Sequence, residues 1–401
     1  MSKIMPCGHP LLLRYEKAAR KTDEFPKKEF TPILFGLFGE VGSVISASKK
    51  WQREKNAFAD YSRDVEEELG DIIWYVAALC RRLNVDFSKL FCEALDGKST
   101  VNVSDIFRDD LYDNKFKVKV SVNGDKKSSI AIKNQSSEDL ARYSILSRLS
   151  KKSVKLLEIN IGTSENKAKL LLVEFIRAYI ETVLAFRLSF SSVLNENIKK
   201  THSRFIKPRP KILRSLDFDK KFPEEQQLPR EFRIEMKQGF DGKVYLRWNG
   251  VIIGNSLSDD ISINDNYRFH DVFHFANAAI LHWSPAFRNL IKHKRRSRGN
   301  FSPTEDSNRP RLIEEGLSAY IFSYAMPLDF FKGHKKVSFG LLKTIRNFVR
   351  GYEVDKCPLY LWEKAILQGY EVFREVSKNE GGIVIGDRDA RSLRYKPLKN
   401  P

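Results

Sequence analysis

Apolar residues along this chain recur mostly at helical spacing and alternate only over short stretches. Leu11 to Ala19 reads as a short helix, and Lys21 to Lys28, with Pro26, as a charged turn. Thr31-Pro32 offers an N-cap with proline at the first helical position. Ile33, Leu34, Leu37, Phe38, Val41, Val44 and Ile45 then follow the period of a long helix. After a loop over 56–62 comes an acidic run, Asp64-Val65-Glu66-Glu67-Glu68-Leu69-Gly70-Asp71. It passes directly into Ile72-Ile73-Trp74-Tyr75-Val76-Ala77-Ala78-Leu79, which predicts one helix to about Leu83, acidic at its start and apolar beyond. A turn at Asn84 to Ser88 leads to a short helix ending near Leu95.

The pattern changes between about 97 and 166. Lys117-Val118-Lys119-Val120-Ser121-Val122 alternates and runs into Asn123-Gly124, a strong hairpin signal, and Ile130-Ala131-Ile132 offers a returning strand. This stretch reads as a β-containing insertion. Helical spacing resumes from Ala168 to about Lys200, with a break near Leu188 to Ser191. Pro208, Pro210, Pro223 and Pro229 punctuate 207–231 as a linker, and a second unit is expected over 232–401. That unit opens with a hairpin, Lys243 to Trp248, Asn249-Gly250, Val251 to Ile253. Helices follow over Arg268–His282, Ala286–Lys294, Arg311–Tyr324, Phe339–Val349 and Leu361–Val376. The predicted fold class is mainly α: a helical bundle over 1–206 with its insertion, then a mostly helical domain with a small β-hairpin. No repeat at solenoid periods is present.

Composition narrows the setting. With 401 residues, 42% of them hydrophobic, the chain is long enough for two or three packed cores. A formal charge of +19 points to polyanionic partners such as nucleotides or nucleic acid. Cys7, Cys80, Cys92 and Cys357 form no CxxC pair, and no secretory h-region precedes the first helix, which fits a reduced cytoplasm. The longest apolar candidate, Leu170 to Val193, is interrupted by Glu174, Arg177, Glu181 and Arg187, so no membrane span is expected.

The acidic helix carries the clearest chemistry. Glu68 and Asp71 stand three residues apart and Glu67 and Asp71 four apart, so their carboxylates leave neighbouring points of one helical face. Like charges placed so cost an isolated helix a few tenths of a kcal/mol per pair. The cluster therefore either faces solvent or is neutralised by a cation, and the apolar run that follows at once, tying the acids to a buried element, favours the cation.

Gly36-Leu37-Phe38-Gly39-Glu40-Val41-Gly42, followed by Glu67-Glu68-Leu69-Gly70-Asp71-Ile72-Ile73-Trp74-Tyr75, resembles the MazG family of all-α nucleoside triphosphate pyrophosphohydrolases. The family pairs ExxE on one helix with ExxD on the next. Here the second half is Glu68-x-x-Asp71, while the first is Glu40-x-x-Ser43, a hydroxyl where the family has a carboxylate. The resemblance implies that Glu40, Glu68 and Asp71 hold Mg²⁺, with Mn²⁺ as an alternative, and that Glu67 is a further ligand or orients the attacking water. It also implies hydrolysis at the α-β phosphoanhydride and a homodimer. It resumes at Leu188 to Arg204, where Asn197, Lys200 and Arg204 match the family's closing segment as base or phosphate contacts. Lys49, Lys50 and Arg53, at the end of the preceding helix, are further candidate phosphate contacts.

The second unit resembles the domain found C-terminal to MazG, through Tyr267-Arg268-Phe269-His270-Asp271-Val272-Phe273-His274, Trp283-Ser284-Pro285 and Ile313-Glu314-Glu315-Gly316. From the residues themselves, His270 and His274 are four apart on one helical face, the spacing that offers two imidazoles to one metal. Glu314 or Glu315 would complete the set, and the notation HDxxH excludes the HExxH zinc-protease motif. The basic run Lys292 to Arg298 is a candidate nucleic-acid contact. Three functions are therefore expected in competition: a Mg²⁺-dependent pyrophosphohydrolase, a nucleotide-sensing effector in bacterial antiphage defence whose second unit carries its own activity, and a basic nucleic-acid-binding adaptor.

Overall fold

The computed structural model describes residues 9–95, 137–160, 162–259, 265–295 and 304–398. The chain forms two compact units, Met1–Ile206 and Lys207–Pro401. Its fold is mainly α, as the periodicity predicts.

The described part of the N-terminal unit is helical: α1 (Pro10–Arg20), α2 (Thr31–Glu54), α3 (Tyr61–Arg82), α4 (Phe87–Leu95), α5 (Ser137–Leu156), α6 (Glu165–Ala185) and α7 (Phe190–Phe205). Helix α3 is the central one. Val65, Leu69, Ile72, Ile73, Val76, Ala77, Ala78, Leu79 and Cys80 are all buried along it, while Glu66, Glu67, Glu68 and Asp71 of its acidic part stay partly exposed. Helix α2 packs along α3 through Ile33, Leu37, Val41 and Val44. Gly36 permits that approach, because a Cβ there would lie 2.3 Å from the Tyr75 ring. The predicted Thr31 cap is not formed. Phe30 occupies the cap position without a side-chain hydrogen bond, Thr31 is already helical, and Pro32 loses no ladder bond because first-turn N–H groups are unpaired in any case. Together with the turn that follows it, over Thr31–Ala57, α2 is the one described helix long and apolar enough to cross a membrane. In this fold its apolar stripe is packed into the unit's core.

Part of the stretch expected as a β-containing insertion over 97–166 is helical. The predicted hairpin over 117–132 lies outside the described residues, but from Ser137 the chain is helix rather than β structure. Leu146, Leu149 and Leu156 of α5, with Ile159 beyond it, enter the same core as α2 and α3. Their spacing of 3, 7 and 3 residues is helical.

In the C-terminal unit the stretch 207–231 is no linker. Leu216 and Leu228 are in the core, and buried Asp219 accepts from the Leu228 backbone N–H at 2.8 Å and pairs with the buried Arg288 guanidinium. Pro210 opens a short helix and Pro223 precedes a single 3-10 turn, Glu224–Gln226. The expected hairpin is part of a five-stranded antiparallel sheet, β1 (Glu231–Gln238), β2 (Val244–Trp248), β3 (Val251–Leu257), β4 (Gly381–Asp387) and β5 (Ser392–Lys396), in the order β3-β2-β1-β4-β5. On β1, Phe232, Ile234 and Met236 point inward while Glu231, Arg233 and Lys237 face water. Gly386 on β4 lets the Phe232 ring lie against the backbone, where a Cβ would come within 2.0 Å. The helical part comprises α8 (Pro210–Ser215), α9 (Asp271–Ala276) with a π segment Asn277–Leu281, α10 (Pro285–Ile291), α11 (Asn308–Ala325), α12 (Phe339–Phe348) and α13 (Leu359–Lys378).

Candidate functional site

Helices α2, α3 and α7 bring the acidic residues together. Glu40 from α2 and Glu68 and Asp71 from α3 are half-buried, and each places a carboxylate oxygen within 4.8 Å of the other two. Helix α7 closes the cluster. Asn197 donates from Nδ2 to Asp71 Oδ1 at 2.9 Å and accepts at Oδ1 from the Tyr15 hydroxyl at 2.8 Å, so α1 fixes the amide and the amide fixes the carboxylate. Gly70 makes room for this contact, since a Cβ there would stand 2.9 Å from Asn197 Cβ. Lys200, one turn later, reaches Glu67 Oε1 at 2.9 Å and forms a second, shorter ion pair with Asp71. Glu66 accepts from the Ser192 hydroxyl at 2.6 Å.

The electrostatics follow from crowding. Burial, the hydrogen bond with Glu68 and the charges of Asp71 and Glu68 push the Glu40 carboxyl up to about 8, against an ordinary 4.5. Burial raises Asp71 to about 6, with Lys200 pulling in the opposite direction. Lys200 is held in its charged form: burial disfavours the ammonium, but Asp71 and Glu67 more than compensate. The Tyr75 hydroxyl, over Gly36, is raised to about 12 by burial and by Glu40 and Asp71. An acidic pocket this crowded is stabilised by positive charge, and Lys200 supplies part of it.

Not every candidate is gathered here. Lys49, Lys50 and Arg53 lie nine to thirteen residues beyond Glu40, about 13–20 Å along α2 at 1.5 Å per residue. Lys50 lies 4.1 Å from the centre of the Phe58 ring and 4.0 Å from Glu54, and Arg53 pairs with Glu54 at 3.1 Å. Arg204 is a turn beyond Lys200, with its guanidinium 5.3 Å from the Phe205 ring centre. Sequence reasoning gave no role to Tyr15 or Tyr75. Tyr75 stands four residues after Asp71, and that shared helical face was the available signal.

In the C-terminal unit, His270, Asp271 and His274 place ligand atoms within 4.8 Å of one another. Of the two expected glutamates, it is Glu315 that meets them, its Oε2 3.0 Å from His274 Nε2. Glu314 is fully buried on the other edge of the ring, 3.2 Å from His274 Nδ1. Adjacent helical residues diverge by about 100°, so the two cannot serve one point. Burial alone would lower the His274 pKa, but Glu314 and Glu315 carry it well above the usual histidine range. Glu315 is depressed to about 2, its hydrogen bond and ion pair with His274 outweighing burial. The basic run is partly withdrawn from any nucleic-acid surface, because Arg295 is buried and pairs with Asp306 and Glu353, each at 2.7 Å. Residues 296–298 lie outside the described part.

Comparison with known proteins bears mainly on the second unit. The chain is 38% identical over 55 residues to the Gene 37 protein of Mycobacterium phage L5, which covers 13% of this chain and 48% of that protein. The chain thus spans about half the length of this curated relative. No solved structure matches. Residues 214–399 match the family model of the MazG C-terminal domain, and this part of the chain is accordingly MazG-like.

Proposed function

We propose that the N-terminal unit is a divalent-metal-dependent nucleoside triphosphate pyrophosphohydrolase. It cleaves a nucleoside triphosphate, or a modified or signalling nucleotide, between the α and β phosphates, giving a nucleoside monophosphate and pyrophosphate. The observation that carries this reading is the convergence of Glu40, Glu68 and Asp71 from two helices. Half-buried carboxylates that push one member's pKa to about 8 form an oxygen-rich, electron-rich set suited to Mg²⁺ or Mn²⁺. Such a cation, when bound, neutralises phosphate charge and polarises the anhydride.

The chain's own residues do the rest. Asn197 holds Asp71 in position. Lys200 brings a cation to the same edge, where it attracts the phosphates, and Glu67, held by Lys200, orients the attacking water. Ser43, one turn beyond Glu40, contributes a hydroxyl in place of a fourth carboxylate. Phe35, Phe38 and Ile45, exposed on α2, support pairing of two copies through that helix.

The test is Asp71→Asn in the full chain, assayed with Mg²⁺ or Mn²⁺ against a nucleotide panel with the products resolved. Pyrophosphate release is expected to disappear while the circular dichroism spectrum stays unchanged. Full metal-dependent activity in the variant refutes the reading. The second reading, a nucleotide-sensing effector in antiphage defence, is favoured by Ser43 and by the Lys200 ammonium already seated against Asp71. It predicts Mg²⁺-dependent nucleotide binding by the parent protein without turnover.

A further inference from the structure

The cluster in the C-terminal unit lies outside the proposed nucleotide chemistry, and its geometry is more specific than a buried ion pair requires. Two carboxylates, Asp271 and Glu315, each turn one oxygen towards the Nε2 atoms of both His270 and His274. Asp271 Oδ1 lies 4.0 Å from His270 Nε2 and 3.9 Å from His274 Nε2. Glu315 Oε2 lies 3.8 Å and 3.0 Å from the same two nitrogens. Donor atoms around an ion bound at about 2.0–2.2 Å stand about 3–3.6 Å apart, so these separations need only a small contraction to become a coordination shell.

Both rings are held from behind in the orientation a metal needs. His270 Nδ1 donates to the Tyr267 carbonyl at 2.9 Å, and its ring stacks on Tyr267 with centroids 4.5 Å apart and planes within 7°. His274 Nδ1 faces Glu314, which is itself fixed by Asn277 Nδ2 at 3.0 Å and the Ala286 N–H at 2.9 Å. A carbonyl or carboxylate on the far nitrogen is what orients a ligating imidazole and raises its basicity. A simple buried histidine would need one acceptor. Here the His270 Nδ1 is hydrogen-bonded, the His274 Nδ1 faces a carboxylate at 3.2 Å, and both Nε2 edges face two further carboxylates.

The donor set chooses the ion. Two imidazoles with two carboxylates suit Zn²⁺, Mn²⁺, Fe²⁺ or Co²⁺ better than Mg²⁺, which prefers an all-oxygen shell. Access is one-sided: the His274 side chain is 1% exposed and Asp271 8%, but Glu315 is 42% exposed. A structural site would be closed on all sides, whereas this one opens to water at Glu315.

We propose that His270, Asp271, His274 and Glu315 bind one divalent transition metal, with Glu314 as the positioning residue for His274 and a solvent-facing position left for water or an anionic ligand.

The experiment is a Co²⁺ titration of the full-length chain carrying Glu40→Gln and Asp71→Asn, so that the acidic cluster of the other unit is disabled. It is followed by visible absorption and by displacement with Zn²⁺. One equivalent of Co²⁺ is expected to give d–d bands that one equivalent of Zn²⁺ removes. His270→Ala and Glu315→Ala, the two least buried of the four, are expected to weaken binding by more than about tenfold with the circular dichroism spectrum unchanged. Glu314→Gln is expected to weaken it by about 10- to 100-fold and to shift the bands, because it reorients a ligand without removing one. A parent without saturable bands at one equivalent overturns the proposal and leaves the cluster a buried ion pair. Folded His270→Ala and Glu315→Ala proteins that bind as the parent does overturn it equally.

Discussion

Replacing Glu40 with Gln keeps the size and reach of the side chain and removes one ionisable group from the acidic cluster. In the folded chain the Glu40 carboxyl titrates near 8 rather than 4.5, so the fold holds its proton more tightly than the unfolded chain does. The sign follows: stability is favoured while Glu40 is protonated and is lost as pH rises from about 4.5 through about 8. At 1.36 kcal/mol per pH unit the displacement bounds the loss at about 5 kcal/mol. The side chain is half-buried, and solvent screening brings the expected effect to about 1–2 kcal/mol. Pulse-labelling hydrogen exchange with mass spectrometry across a urea series reads α2 and α3 peptides separately from the C-terminal unit. In chelator at pH 9, Glu40→Gln is expected to be more stable than the parent by that amount, and at pH 4.5 equal to it. Millimolar Mg²⁺ is expected to stabilise the parent and not the variant. Equal stability at both pH values, or equal stabilisation by Mg²⁺, refutes the account of the cluster as charge-strained and cation-seeking.

Lys200→Gln removes the ammonium that Asp71 and Glu67 share, and calorimetry is expected to show Mg²⁺ binding several-fold more tightly, since the metal no longer competes with a resident cation. Gly70→Ala places a methyl 2.9 Å from Asn197 Cβ, so overpacking of about 1–3 kcal/mol is expected in denaturant melts, together with a fall in activity as Asn197 leaves Asp71. Arg295→Met strands Asp306 and Glu353 in a buried setting and is expected to destabilise the C-terminal unit by about 3–5 kcal/mol, read from its urea midpoint.

The helices that carry the acids were legible because their signals are local. Ile33 to Val44 and Val65 to Leu79 repeat at helical spacing, and the placement of Glu67, Glu68 and Asp71 on one face follows from that period alone. The five-stranded sheet was legible only in its Asn249-Gly250 hairpin. Strand β1 follows a Pro-rich stretch that resembles a linker, and β4 and β5 lie over a hundred residues beyond β2 and β3. Strands β1 and β4 pair through backbone hydrogen bonds that leave no sequence signature. Leu216 and Leu228 look like isolated apolar residues among prolines and charges until their burial is seen.

Amino-acid order was enough to specify a mainly α chain, an acidic face on α3 and two histidines one turn apart, because each depends on neighbours within a few residues. Long-range packing determined which groups meet. Tyr15, Glu40, Asp71 and Asn197 come together from four helices because Gly36 and Gly70 allow those helices to approach closely. Packing also drew Arg295 out of a basic run into the interior. The clearest case is Glu314 and Glu315, adjacent in sequence and identical in chemistry. The rotation of about 100° between them turns one into the core behind His274 and the other towards its Nε2. Only the position of α11 against α9 decides which glutamate can share a ligand with the histidines.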